Sequence, residues 1–377
     1  MVKTFDEKKL EKELVPLTGE RNVGIDLLRM VSMFLVAILH VLGQGGILSA
    51  TGKILPLTNY RVTYFLEIAA YCAVNCYAVI SGYVGVKSKF KYSNIIMLWL
   101  QVAFYTLSIT AIFAICYPGT VGKAQVINAL FPVMKCQYWY FTAYFCIFFF
   151  TPFFNWAVNH MPSAQMRTIV ISLVVMFSVL PTLFKSKIFG NAISDVFLLG
   201  SGYSAIWLGI LYVIGAYISK YDVFKKIKAR WFILLYLFSI CLTWLFKFEI
   251  KSIGGVYVSY TSPTILLAGV SLVAAFSKFR LSPIKKVVAF LSPLSFSVYL
   301  IHVHPLIWNK FMLNRYIDFA EFPTWKIVLA VLLAAFMIYA VCSVIDLVRH
   351  YFFKLIRLRK GLDYLEKKYI GDLWSEK

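Results

Sequence analysis
The chain has 377 residues, of which 60% are hydrophobic, 18% aromatic and 15% charged, and its formal net charge is +21. So little charge in so apolar a chain excludes an ordinary soluble globule and describes a polytopic membrane protein. The excess of Lys and Arg then reads as basic loops beside anionic lipid headgroups; no run of basic and aromatic residues offers a nucleic-acid platform.

Residues 1–22 form a charged arm without a removable signal peptide. Behind it the hydropathy pattern predicts ten spans, at about 23–44, 61–84, 94–117, 139–158, 167–185, 204–219, 231–248, 257–277, 286–304 and 326–348. Counting Lys and Arg with the N-terminus inside gives 26 on the cytoplasmic side and 11 outside, so both termini are expected to be cytoplasmic. The expected fold is an all-α integral-membrane bundle of about ten helices. Its parts are the arm 1–22, a transmembrane domain 23–348 and a basic cytoplasmic tail 349–377, read as an interfacial helix with a frayed end. The seven cysteines lie mostly in apolar segments and are expected to pack; no metal site is expected.

The first span carries Asp26, Arg29 and His40 inside an apolar run. Ionisable groups within a span are costly and mark function by default. Arg29 and His40 are eleven residues apart, so at roughly 100° per residue they share one stripe of the helix, separated by about 16 Å. Asp26, three residues before Arg29, is placed to pair with it.

The second span runs inward, with Glu67 in its outer half and Ser81 and Gly82 at its inner mouth, where Gly82 permits a tight turn. Lys87, Lys89 and Lys91 follow at once. Asn75 reads as a hydrogen-bonding link between helices. The fourth span opens with Trp139 and Tyr140, read as aromatic-belt residues. The ninth runs outward and brings His302 to the side of His40, with His304 read as an interfacial residue before Pro305.

A cationic inner end suits an anionic ligand, and Arg29 is apt for phosphate. The outer end, with His40, His302 and Glu67, suits proton transfer, His40 acting as general base or as a transient acyl carrier. The two ends imply two different ligands.

Four stretches carry a family resemblance: IDLLRMVSMFLVAILH, VNCYAVISGYVGVKSKFK, YWYFTAYFCIFFFTPFFN and LSPLSFSVYLIHVHPLIW. In this order the chain resembles the acyltransferase-3 family of integral membrane acyltransferases. The resemblance implies transfer of an acetyl or other acyl group from cytoplasmic acetyl-CoA (acyl-CoA) to a hydroxyl of a surface polysaccharide or lipid-linked glycan, in the cell membrane. Arg29 and His40 match the family's essential pair. Lys87-Ser88-Lys89 stands where many members have Arg-x-Arg, and with Ser81, Lys91 and Arg29 it is the expected donor-binding set. Acyl-CoA enters as a substrate, with no permanently bound cofactor, and the chain is too short for the hydrolase-like domain that some members add. The competing expectation is a proton-coupled transporter or flippase of an anionic sugar or lipid, with Arg29, Glu67 and His40 along its path.

Overall fold
The computed structural model describes residues 22–53, 57–186, 195, 197–250 and 254–371, which are helices and connections without a strand. The arm, except Asn22, and residues 372–377, where a frayed end of the tail is expected, lie outside the described residues. In chain order the main helices are α1 Val23–Leu42, α2 Leu57–Tyr71, α3 Ala73–Gly85, α4 Tyr92–Cys116, α5 Trp139–Phe148 and α6 Thr151–His160. They continue with α7 Ser163–Lys185, which contains a π turn, α8 Ala205–Tyr221, α9 Ala229–Phe248 and α10 Pro263–Phe276. Last come α11 Lys285–Leu291, α12 Ser295–His302, α13 Thr324–Leu355 and α14 Leu358–Tyr369.

Among the described residues, seven helical segments are long and apolar enough to cross a membrane, and the pair α5 and α6 passes the same test as one bent unit. Two further apolar helices, α8 and α10, have 17 and 14 residues. On α13 the apolar Leu333, Phe336, Met337, Val341 and Val344 are exposed. Such a face is satisfied by lipid, not by water. The protein is an integral-membrane helical bundle.

Several predicted spans are broken, each for a local reason. The 57° bend between α5 and α6 lies next to Pro152. Proline has no N–H for the carbonyl four residues earlier, that of Phe148, and Thr151 Oγ1 donates to that carbonyl instead, at 2.7 Å. The ninth span is interrupted by a 3₁₀ turn at Ser292–Leu294, which contains Pro293, and α12 is left as an eight-residue helix. The last span runs on to Leu355, beyond the boundary at 348.

Close helix contacts set the core. A Cβ on Gly82 would lie 1.8 Å from the Tyr212 carbonyl oxygen, and one on Gly215 would lie 2.0 Å from that of Val79. Gly82 therefore serves the crossing of α3 with α8, and not only a turn. Asn75 links three segments: Nδ2 donates to the Tyr260 carbonyl at 2.9 Å, and Oδ1 accepts from Trp207 Nε1 at 3.2 Å. At the other extreme of the chain, α14 docks on the start of α4. The Glu366 carboxylate accepts from the amides of Tyr92 and Ser93 at 2.7 and 3.3 Å, and Asp363 accepts from Ser93 Oγ at 3.0 Å. A carboxylate from a distant helix thus caps the exposed N–H groups of α4.

Candidate active site
Met33, Val36 and His40 lie at i, i+3 and i+7 on α1 and face one partly open cavity of about 60 Å³. Val74 and Tyr77 of α3, Trp139 and Tyr140 of α5, and Phe296 and Tyr299 of α12 complete most of its wall. Tyr260 and the half-exposed Tyr203 close the remaining side. The aromatic pair expected in an interfacial belt therefore lines the cavity: Trp139 packs at 4.6 Å from Tyr203, ring centre to ring centre. Apolar aromatic rings suit a lipid boundary and a cavity equally well, and only the packing of α5 separates the two.

His40 meets His302 across the bundle, Nδ1 to Nε2, at 2.8 Å. The proton positions follow from the second ring. His302 Nδ1 is hydrogen-bonded to the Val298 carbonyl, which can only accept, so Nδ1 carries the hydrogen. A neutral His302 then accepts at Nε2, and His40 must donate from its own Nδ1. This leaves the His40 Nε2 lone pair unbonded by the protein, among the described residues, on a ring that lines the cavity. The Trp308 ring meets His40 edge-on at 5.1 Å and restricts its tilt. The arrangement can take a proton from a hydroxyl at Nε2 and hold the ring through Nδ1.

Arg29 is at the other end of α1. Its Nη1 donates to Asp26 Oδ1 at 2.7 Å, the pairing that the i, i+3 spacing predicts, and its side chain is 32% exposed while that of Asp26 is 4% exposed. Tyr77 connects the two ends: it lines the cavity, and its hydroxyl donates to the Arg29 carbonyl at 2.8 Å. Ser81 Oγ donates to the Tyr77 carbonyl at 2.9 Å, bonding back to its own helix. Lys87, Lys89 and Lys91 are exposed in the turn after α3, with Lys87 Nζ 5.9 Å from the centre of the Tyr83 ring.

Glu67 does not touch the histidines. It is buried, Oε2 has no hydrogen-bond partner among the described residues, and it neighbours Tyr71 and Tyr260. Tyr260 lines the cavity, and Glu67, near it, does not. His304 is buried and caps the turn at Pro305, its Nδ1 accepting from the Leu306 amide at 3.3 Å.

A second buried charge pair escaped the sequence reading. Arg349 binds Asp346 through Nε and Nη2, at 2.8 and 2.7 Å. Tyr105 Oη also donates to Asp346, as does Ser297 Oγ at 2.6 Å, and Gln101 Nε2 donates to Ser297 Oγ at 2.6 Å. This network ties α4 and α13 to α12 at Ser297, the residue before the Val298 carbonyl that orients His302. A signal was present: Asp346 and Arg349 repeat the Asp-x-x-Arg spacing of Asp26 and Arg29.

An all-helical membrane bundle whose cavity is lined by one imidazole, held from behind by a second, belongs to the class of integral-membrane acyltransferases, as the acyltransferase domain family, which matches residues 22–347, shows. The chain belongs to the acyltransferase-3 family. No curated protein and no solved structure matches it.

Proposed function
We propose that the protein moves an acyl group, in the first place acetyl, from acyl-CoA to a hydroxyl of a cell-surface carbohydrate. In this reading ten helices cross the cell membrane, both termini are cytoplasmic, and the two substrates arrive from opposite sides. The observation that carries it is the hydrogen-bond order Val298–His302–His40, which leaves one basic imidazole nitrogen on a cavity wall.

The donor phosphates bind at the end marked by Arg29, Lys87, Lys89 and Lys91, where lysine acts on phosphate as a point charge. The pantetheine arm follows the α1 stripe past Tyr77 towards His40, about 16 Å along the helix. There His40 Nε2 takes the proton as the acceptor oxygen attacks the thioester carbonyl. The C–O bond forms, the C–S bond breaks, and the thiolate leaves with the proton that His40 returns. His302 holds the His40 ring and shares the charge of the imidazolium through the Nδ1 proton.

The test uses membranes containing the protein or its His40→Ala variant, supplied with acetyl-labelled acetyl-CoA and extracted surface glycans. Label is expected in glycan with the wild type and not with the variant. Equal labelling by both would remove His40 from the chemistry. Uptake of glycan into vesicles with the thioester intact would establish transport instead.

A further inference from the structure
Acyl transfer builds negative charge on the thioester carbonyl oxygen, and a base does nothing to stabilise it. Arg29 is about 16 Å along α1 from His40 and is bound to Asp26 at 2.7 Å. Tyr77, nearer, already donates its hydroxyl to the Arg29 carbonyl at 2.8 Å.

Tyr299 is different. It lines the cavity together with His40, is 6% exposed, and its Oη has no hydrogen-bond partner among the described residues. A buried hydroxyl without a partner destabilises a fold, so such a group needs an explanation beyond packing. No hydrogen bond to or from Oη forms among the described residues, so the phenolic hydrogen is uncommitted. Tyr299 also precedes His302 by three residues on α12, so one short helix carries both the donor and the ring that orients His40.

We propose that Tyr299 is the oxyanion donor: its Oη–H donates to the thioester carbonyl oxygen as His40 removes the acceptor's proton. The inference rests on the acyl-transfer reading above. The attacking oxygen bonds to the carbonyl carbon and the π electrons move to the carbonyl oxygen, where Tyr299 meets them. They return as the C–S bond breaks and the sulfur takes the proton held by His40. The phenol keeps its own hydrogen throughout.

The experiment compares wild type, Tyr299→Phe and His40→Ala in proteoliposomes, measuring CoA release and labelled ester from acetyl-CoA. Tyr299→Phe is expected to lower kcat about 10²–10³-fold. The KM for acetyl-CoA should stay within about twofold. Thermal stability in detergent should be unchanged or higher, because the substitution removes an unsatisfied group. A merely structural hydroxyl would move stability and leave kcat alone. Tyr299→Phe keeping kcat within about threefold of wild type, with His40→Ala inactive, would overturn the Tyr299 assignment alone. Activity of His40→Ala equal to wild type would remove His40 as the base, and wild type forming no ester while the thioester stays intact would overturn the acyl-transfer reading itself. Should Tyr299→Phe not accumulate, fluorotyrosines at 299 vary the donor without removing it. The rate should then follow phenol acidity, and a flat response would overturn the assignment.

Discussion
Replacing His302 by Ala isolates the contribution of the second imidazole. In the wild type, His40 Nδ1 has an acceptor at 2.8 Å, which fixes both the tautomer and the plane of the ring. Without it, His40 populates both tautomers, and its ring loses the hydrogen bond that fixes its plane, keeping the edge contact with Trp308 at 5.1 Å. Loss of the correct tautomer and orientation in an otherwise intact base corresponds to about 10²–10⁴ in kcat, or roughly 2.7–5.4 kcal/mol of barrier. His302→Gln keeps an acceptor within reach and is expected to lose about tenfold or less. Initial rates of label transfer in proteoliposomes, with kcat and KM separated, provide the assay. KM for acyl-CoA should change by no more than about twofold, since the proposed site for the donor's phosphates is at the far end of α1. A His302→Ala enzyme with kcat within about threefold of wild type would refute this reasoning.

Three further outcomes follow from other contacts. Asp346→Ala leaves the buried Arg349 guanidinium unpaired and is expected to cost about 3–5 kcal/mol, read as a lower unfolding temperature in detergent; the double change Asp346→Leu with Arg349→Met should recover most of it. Gly82→Ala puts a methyl group 1.8 Å from the Tyr212 carbonyl oxygen, so α3 and α8 must separate, and the yield of folded protein should fall. Lys87→Ala with Lys89→Ala should raise the KM for acyl-CoA several-fold with kcat little changed, more at low ionic strength than at about 0.15 M salt, as screening requires; an unchanged KM at both would remove these lysines from donor binding.

The sequence made some of this legible because helical spacing is a local property. The Asp26–Arg29 pair and the shared stripe of Arg29 and His40 needed only the angle per residue, and the bond from His40 to His302 joins two residues that hydropathy had put at one depth. Other features depend on which helices become neighbours. Trp139 and Tyr140 line the cavity because α5 packs inward, and His304 is buried while capping the turn at Pro305. Asp346 and Arg349 were separated by a span boundary drawn at 348, although α13 continues to Leu355. The choice of tautomer depends on a carbonyl four residues before His302, visible only once α12 is known to be a helix.

The cap that α14 places on α4 also orders events during synthesis. The amides of Tyr92 and Ser93 find their acceptor in Glu366, made 274 and 273 residues later. At about 5–20 residues per second, the start of α4 waits roughly 14–55 s for it, relying on water in the meantime. Closure of this corner therefore waits until α14 has been made, and α14 acts as a latch on a helix synthesised long before it.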